Sequence, residues 1–273
     1  MAFSTIPGSG STATTIVGTS NVDTGSINSD LTSNVFIGNQ QSADVINFQG
    51  VGVNRSEFTS KGGQGDDTIT FGGGSFTNSI FAGNSNADTF GTATEAAQLT
   101  TSTIKGGQGI DTIFVNTGDS SFVNGNKDAD VVTLTGSLGS SSVHGGAGGD
   151  TIEVGNTSLT DSLVKGDKGN DAINLSINAG GGRVWTNSTA QGGDGNDTIN
   201  GALSTAGILL AGGADTDTIS GGTNTDTLNG GTGNDSIQGN DGADSLSGGD
   251  NDDQFVYAAT ADLFSGNALV DVL

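Results

Sequence analysis

The chain has 273 residues, of which 49 are glycine and one is proline, and its formal net charge at pH 7 is −23. Glycine at this level without a Gly-X-Y period excludes collagen, and the regular phase of apolar residues relative to the glycines argues against disorder. Only seven Lys and Arg residues stand against 30 Asp and Glu. Binding to nucleic acid or to an anionic membrane is therefore not expected, because both need clustered cations. Cysteine is absent, so stability must come from packing or from metal rather than disulfides.

Residues 1–37 are rich in serine and threonine and contain short apolar runs at 15–17 and 35–37. We interpret them as an N-terminal arm or a degenerate first coil. Met1–Gly10 lacks the charged and apolar regions of a secretory signal, and no apolar run in the chain approaches the about 18 residues that a membrane span needs. Insertion into a membrane is not expected, and export would need a signal elsewhere.

From residue 38 onwards a short segment recurs thirteen times, and we call it the box. It begins with a glycine, continues with turn-forming residues, has an aspartate at its sixth position and is followed by an apolar residue at the eighth. Clear copies begin at Gly62 and Gly192. In the boxes from Gly62 onwards, positions two and four hold only Gly, Asn or Asp, the residues that best tolerate positive φ. The first box, 38–44, has one extra residue and lacks the turn glycines.

Apolar residues on both sides of each box predict short β-strands. Position eight is apolar in every box from Ile69 to Phe255, and the residue two places before the next box is usually apolar too. Such alternation is typical of strands with one buried face. First glycines lie 19 to 26 residues apart up to Gly212, and nine apart from there to Gly248. Two nine-residue repeats together have 18 residues, close to the longer spacing. We therefore predict an all-β chain built from coils of about 18–21 residues, with two short strands and two turns in each.

The segment Gly230–Gln238, with the sequence GGTGNDSIQ, resembles the nonapeptide of RTX (haemolysin-type calcium-binding) repeats residue for residue. The resemblance to this family of secreted bacterial proteins extends over roughly 62–255 and implies a right-handed parallel β-solenoid, the RTX β-roll. With the spacing it implies four regions: the Ser/Thr-rich segment 1–37, a solenoid with one row of calcium loops over 38–211, a nonapeptide β-roll with two rows over 212–255, and a post-repeat segment over 256–273.

Calcium prefers six to eight oxygen ligands and accepts both carboxylates and backbone carbonyls. One box has too few oxygens, so each ion is expected between the boxes of successive coils. The resemblance implies that one box gives the carbonyls of positions two and four and its aspartate, and the next gives the carbonyls of positions one and three and its aspartate. On this basis Gly193, Gly195 and Asp197 share an ion with Gly212, Ala214 and Asp217, and Gly231, Gly233 and Asp235 share one with Gly248, Asp250 and Asp253.

The predicted metal ligands are Gly62, Gly63, Gly65, Asp67, Asp88, Gly106, Gly107, Gly109, Asp111, Asp130, Gly145, Gly146, Gly148, Asp150, Gly169, Asp171, Gly192, Gly193, Asp194, Gly195, Asp197, Gly212, Ala214, Asp217, Gly222, Asn224, Asp226, Gly231, Gly233, Asp235, Gly239, Asp241, Asp244, Gly248, Asp250 and Asp253. Eleven gaps between boxes would hold eleven ions, which bring +22 against a chain charge of −23. Several boxes are imperfect, among them those of Asp44, Asp88 and Asp130, so we expect about ten calcium ions. Without calcium the stacked aspartates should repel each other and the solenoid should unfold or swell.

A catalytic role is not expected. The only histidine, His144, lies at a variable position, and the three glutamates are not paired with a second carboxylate at a catalytic spacing. Serines stand four residues before six of the boxes, at Ser79, Ser102, Ser121, Ser141, Ser162 and Ser188. We interpret them as small residues tolerated at a corner rather than as a recognition surface.

These observations predict a secreted, calcium-rigidified structural protein of a bacterial cell surface or extracellular matrix, which associates with itself end to end into filaments or layers. Surface polysaccharide is a further candidate partner. The alternative is a calcium-triggered folding and export module of a type I-secreted toxin, protease or adhesin, and the start at Met1 favours the first hypothesis. Ice binding is less favoured, because position three of the boxes, from Gln64 to Asp250, is not a uniform row of Thr or Asn.

Overall fold

The computed structural model describes residues 14–17, 21, 24–27, 32–38, 41–48, 54–155, 158–175, 185–202, 204, 207–256 and 263–265. These residues form thirty β-strands and no helix, so the described part of the chain contains no helix that could cross a membrane. The strands pair in parallel with the equivalent strand of the next coil. The chain divides into two compact units, Met1–Ser137 and Leu138–Leu273.

In the first unit the strands stack into three parallel sheets. They are β1 (Thr14–Val17), β2 (Thr24–Ile27), β3 (Thr32–Gly38), β4 (Val45–Phe48), β5 (Asn54–Gln64), β6 (Thr68–Thr70), β7 (Ser75–Thr77), β8 (Ile80–Ser85), β9 (Thr89–Phe90), β10 (Ala97–Thr100), β11 (Thr103–Gln108), β12 (Thr112–Asp119), β13 (Phe122–Lys127) and β14 (Val131–Leu134). Sheet A, whose strands run into the boxes, is β1-β3-β5-β8-β11-β13. Sheet B, which follows the boxes, is β2-β4-β6-β9-β12-β14. Sheet C joins the start of β5, β7, β10 and the end of β12.

The second unit continues the same pattern. Its strands are β15 (Leu138–Gly139), β16 (Ser142–Ala147), β17 (Thr151–Val154), β18 (Leu159–Thr160), β19 (Leu163–Lys168), β20 (Ala172–Leu175), β21 (Trp185–Thr186), β22 (Thr189–Asp194), β23 (Thr198–Asn200), β24 (Leu209–Ala214), β25 (Thr218–Ser220), β26 (Thr227–Thr232), β27 (Ser236–Gln238), β28 (Ser245–Asp250), β29 (Gln254–Val256) and β30 (Leu263–Ser265). Sheet A is β16-β19-β22-β24-β26-β28-β30. Sheet B is β17-β20-β23-β25-β27-β29. Sheet C is short and contains only β15, β18 and β21 among the described strands.

The predicted all-β parallel solenoid is confirmed, and its longer coils contain one strand more than the two predicted per coil. The additional strands are those of sheet C, which add only a few buried residues each, such as Phe76 and Leu159. So few residues produce no recognisable alternation in the sequence. Each strand of sheet C turns into sheet A at a residue with positive φ, for example Asn78 at 50° and Asn187 at 49°.

The core lies between the sheets and is formed by apolar side chains that stack along successive coils. The residues at position eight, from Ile69 to Phe255, are at most 3% exposed. In the first unit the wider coils are filled by a phenylalanine cluster that includes Phe48, Phe71 and Phe76, with ring centroids 4.8–6.1 Å apart. The guanidinium group of Arg55 lies 5.2 Å from the ring centre of Phe48, an arrangement that favours a cation over an aromatic face.

Candidate metal centre

Eleven box aspartates form a main row along the corner where sheet A turns into sheet B, and Asp226 and Asp244 form a second row at the opposite corner of the last coils. All thirteen, from Asp44 to Asp253, are at most 3% exposed. The backbone N–H of one box aspartate donates to Oδ1 of the aspartate in the next coil at 2.7–3.0 Å, as Asp67 does to Asp88, Asp197 to Asp217 and Asp217 to Asp235. Hydrogen bonds to a charged acceptor are strong and directional. Each carboxylate is therefore held in one orientation by the coil before it.

Backbone conformation in the boxes follows the prediction. Of the 24 residues at positions two and four in the boxes from Gly62 onwards, 22 have positive φ. Eight of these are Asn or Asp rather than glycine, such as Asn84 at 85° and Asp167 at 81°. These residue types tolerate the left-handed region better than other side chains do. The same bend thus recurs at each box although the residue types vary.

The second carboxylate oxygen, Oδ2, is buried and accepts no hydrogen bond from the described residues in Asp67, Asp88, Asp111, Asp171, Asp197, Asp217, Asp235 and Asp253. It lies against the first glycine of its own box, since a Cβ atom on Gly212 would overlap Oδ2 of Asp217. The same Cβ would be 2.6 Å from the carbonyl oxygen of Gly230, the first glycine of the next coil. A carboxylate oxygen and a carbonyl oxygen of successive coils therefore face one small space.

Further carbonyl groups point into the space between coils. Carbonyls of positions two and four point forward, toward the next coil. A Cβ on Gly107 would lie 2.5 Å from the carbonyl oxygen of Asn84 in the preceding coil, and a Cβ on Gly233 would come similarly close to that of Asp215. Carbonyls of position three point back, because the oxygen of Lys168 accepts a hydrogen bond from the N–H of Gly148 in the preceding coil at 2.8 Å. Forward groups from one coil and backward groups from the next are what the predicted ligand sets require. The residues present therefore fit a calcium ion, which would supply two positive charges between each pair of carboxylates.

The electrostatics of the aspartate ladder also favour a cation. Loss of hydration on burial, followed by repulsion from neighbouring aspartates, raises the pKa of six carboxyls of the main row. The pKa is raised to about 7 for Asp67, about 8 for Asp88, about 7 for Asp111, about 7 for Asp171, about 6 for Asp197 and about 7 for Asp217. At neutral pH such carboxyls need either a proton or a metal ion. Within the described part of the chain no three acidic or histidine side chains form a metal-binding cluster, so an ion here would take most of its ligands from main-chain carbonyls.

The opposite corner of the last coils differs from the prediction in one box. In the box that begins at Gly221, Gly222 and Asn224 lie outside the positive-φ region. Oδ2 of Asp226 accepts a hydrogen bond from the N–H of Gly222 at 2.6 Å, and its Oδ1 accepts one from the N–H of Ile208 at 2.9 Å. In the main row the backbone N–H that donates to Oδ1 belongs to an aspartate of the preceding coil, whereas here it belongs to Ile208. With both carboxylate oxygens of Asp226 engaged, this box is less ready for a metal ion than the main row.

Comparison with known proteins agrees with this geometry. The family model described as RTX calcium-binding nonapeptide repeat (4 copies) matches residues 133–156, 185–203, 209–228, 220–255 and 229–264. The chain is an RTX repeat protein. No curated protein matches it, and no solved structure does. The RTX repeats are calcium-binding repeats, and proteins that carry them are typically secreted. The boxes of the first unit precede the matched residues, but they share the hydrogen-bonded aspartate ladder and the positive-φ bend.

The six serines that precede boxes form a hydrogen-bonded ladder, a role that the sequence did not indicate. The six serines that precede boxes are at most 5% exposed. The N–H of Ser79 donates to Oγ of Ser102 in the next coil at 3.0 Å, and that of Ser162 donates to Oγ of Ser188 at 3.1 Å. Each Oγ in turn donates to the carbonyl two residues earlier, as Ser162 does to Thr160 at 2.8 Å. The serines are therefore hydrogen-bonding residues of a buried corner.

The serine ladder of the second unit lies at the same corner as the second aspartate row. Ser188, Ile208, Asp226 and Asp244 each stand four residues before a box of the main row. In both ladders an N–H donates to a side-chain oxygen of the next coil, since the N–H of Asp226 donates to Oδ1 of Asp244 at 2.8 Å. The corner thus changes from serine to aspartate along the chain, and only the constant offset of four residues signals this in the sequence.

Proposed function

We propose that this RTX repeat protein is a secreted structural protein, a β-solenoid of a bacterial cell surface or extracellular matrix that calcium makes rigid. One observation carries the proposal: in each unit, buried carboxylate oxygens that accept no hydrogen bond from the described residues, such as Oδ2 of Asp88 and of Asp217, face inward carbonyls. A row of such oxygens is costly when empty at neutral pH and favourable when it holds cations. Folding and calcium binding are then one process.

The proposed number of ions is about ten, with one between successive main-row boxes within each unit and one between the boxes of Asp226 and Asp244. Ten ions would carry +20 and neutralise most of the chain charge of −23. The box of Asp226 would be the last to fill, because its Oδ2 must first give up the N–H of Gly222. Affinities on the order of 10⁻⁴–10⁻³ M, as in extracellular calcium modules, would leave the chain unfolded in a calcium-poor cytoplasm and fold it outside the cell.

Self-association end to end is part of the proposal. Parallel solenoids have a strand edge at each end, and such edges pair with further strands unless they are covered. We propose that copies of the chain meet at these edges, without a catalytic activity of their own. Electron microscopy of negatively stained protein in millimolar calcium tests this, because filaments or layers are expected only with calcium. A strictly monomeric mass in sedimentation at high protein and calcium concentrations contradicts self-association and favours an export module of a larger secreted protein.

Calcium-dependent folding has a separate test. Circular dichroism of the full chain should show little β structure in chelator and a large gain on addition of millimolar calcium, with magnesium as the control cation. Equal β content in chelator and in calcium would disprove the role of the metal in folding, whatever the result for self-association.

A further inference from the structure

The second unit has a notch beside the last strand of sheet C that the structure describes. This strand is β21 (Trp185–Thr186), which pairs with β18 of the preceding coil. Beside it lies a cavity of about 370 Å³, whose lining residues include Trp185, Asn187, Leu209, Thr225 and Thr227. We call this cavity the notch. Its volume falls within the range of small-molecule pockets.

The hydrogen bonding of the corner changes beside this strand. In the preceding coil, the N–H of Asp161 donates to the carbonyl of Thr186 at 2.9 Å, and the N–H of Ser162 donates to Oγ of Ser188 at 3.1 Å. The corresponding donors in the coil of β21 are the N–H groups of Asn187 and Ser188, both of which line the notch. Ile208 stands in the place of the next serine, because Ala190 pairs with Leu210 and Ser188 and Ile208 each lie two residues before them. The side chain of Ile208 has no oxygen. The side-chain acceptor that the ladder would offer to the N–H of Ser188 is therefore missing.

The indole of Trp185 closes part of this gap. Its Nε1–H donates to the carbonyl oxygen of Ser188 at 2.6 Å. In the preceding coil the equivalent carbonyl, that of Ser162, accepts instead from the backbone N–H of Thr189 at 3.1 Å. The indole N–H thus takes the place of a backbone donor from the following coil. The ring is thereby fixed at the edge of the notch. Across the notch Leu209 is 40% exposed, one of few large apolar side chains on the described surface. The notch thus has an apolar wall of a rigid aromatic ring and an exposed leucine.

The remaining lining is polar but uncharged. None of the nine residues that line the notch is acidic or basic, although the chain carries a net charge of −23. The carboxylates of Asp161 and Asp226, which contact the lining residues Asn187 and Ile208, already accept hydrogen bonds, and no lining side chain offers a counter-charge to a charged ligand. A purely apolar ligand would leave the threonine hydroxyls and the N–H of Ser188 without partners. The lining is complementary to a neutral ligand with hydroxyl groups on its rim and an apolar face.

We propose that the notch is a binding site for a neutral saccharide. The C–H face of one sugar ring would pack on Leu209 and on the part of the Trp185 ring that is accessible, because Trp185 is only 9% exposed. Its hydroxyl oxygens would accept a hydrogen bond from the N–H of Ser188 and exchange hydrogen bonds with Thr225 and Thr227. The site gives the proposed surface or matrix protein a means of holding polysaccharide, but its chemistry does not depend on calcium or on self-association.

Trp185 is the only tryptophan of the chain, so its fluorescence reports on the notch directly. The full chain in millimolar calcium is titrated with maltotriose, cellotriose and N,N′,N″-triacetylchitotriose, and with trigalacturonate as the anionic control. We expect a saturable change in emission for at least one neutral trisaccharide, with a dissociation constant on the order of 1 mM, and none for the anionic one. The proposal is overturned if no neutral trisaccharide gives a saturable change up to about ten times that concentration, or if trigalacturonate alone does.

Variants separate binding at the notch from effects elsewhere. Changing both Thr225→Val and Thr227→Val removes two hydroxyl groups and should weaken binding about tenfold. Thr218→Val is the matched control, because Thr218 is an exposed threonine on sheet B that does not line the notch, and it should leave binding unchanged. Calorimetry with Trp185→Phe, which retains a ring and removes the indole N–H, should show binding weakened at unchanged calcium-dependent folding. Equal binding by the notch variants and the control would also overturn the assignment.

Discussion

Replacing one box aspartate should have opposite effects on stability with and without calcium. Asp217 is the best position, because it is fully buried and is a predicted ligand of two ions, one shared with the coil of Asp197 and one with that of Asp235. Its Oδ1 accepts the N–H of Asp197 at 2.8 Å, and its Oδ2 accepts no hydrogen bond from the described residues. In Asp217→Asn the amide oxygen can keep the first bond, and the amide N–H₂ can donate to the nearby carbonyl of Gly230.

The magnitude follows from the pKa and from the ligand count. Burial raises the pKa of Asp217 from 3.8 to about 7, and one pKa unit corresponds to about 1.4 kcal/mol. In chelator at pH 8 the substitution removes an ionised, poorly solvated group, and the free energy of unfolding should rise by about 2–4 kcal/mol. In calcium the loss of a carboxylate ligand should weaken two sites about tenfold each, which lowers the free energy of unfolding by about 3 kcal/mol.

Urea unfolding followed by circular dichroism measures the effect in calcium. In chelator, where the unsubstituted chain is expected to have little β structure, titration with a stabilising osmolyte such as trimethylamine N-oxide is expected to fold both proteins and so gives the second difference. Asp215→Asn is the matched control, since Asp215 is an exposed residue of the same box and position four already holds asparagine in the boxes of Asn86 and Asn251. The control should change stability by less than about 0.5 kcal/mol in either condition. If Asp217→Asn shifts stability in the same direction in chelator and in calcium, or behaves like the control, the assignment of the box carboxylates as calcium ligands is wrong.

Three further predictions concern protons, glycines and serines. Burial raises the pKa of Asp67, Asp88 and Asp217 in the folded state, so that state binds more protons than the unfolded one, and without calcium the stability should fall as pH rises from about 4 to about 8. With calcium, acidification should instead release the ion and destabilise the fold, and circular dichroism across pH measures both trends. In Gly212→Ala the added Cβ would overlap the box carboxylate, so calcium-dependent folding of that coil should be abolished. Gly149→Ala should be tolerated, because its Cβ meets only a carbonyl oxygen at 3.1 Å. Similar calcium titrations for the two variants would count against the predicted site. Ser162→Ala removes the acceptor of the Ser141 N–H, 3.2 Å away, and should lower the free energy of unfolding, measured by thermal unfolding, by about 1–3 kcal/mol. Ser142→Ala, at a half-buried neighbour, should lower it by less than about 0.5 kcal/mol. Equal losses would show that the serine ladder does not stabilise the fold.

The sequence by itself determined the repeat architecture and the backbone of the boxes. Positive φ is a local property of one residue, so the restriction of positions two and four to Gly, Asn and Asp announces the bend wherever it occurs. Alternation around position eight is equally local, and it identified the buried residues of sheet B from Ile69 to Phe255. The spacing of the boxes then required a parallel solenoid, because a short unit buries its apolar residues only when a neighbour stacks on it.

Only the tertiary structure decided what happens between coils. Sheet C adds only a few buried residues in each coil, so its strands become evident through pairing with partners 19 to 26 residues away, such as Leu159 with Trp185. The serine ladder and the departure of the box at Gly221 have the same origin, because the hydrogen bonds of Ser188 and Asp226 depend on which residue the adjacent coil places opposite them. Conformational preferences act within one coil, whereas hydrogen-bond partners and the notch at Trp185 depend on the register between coils of unequal length.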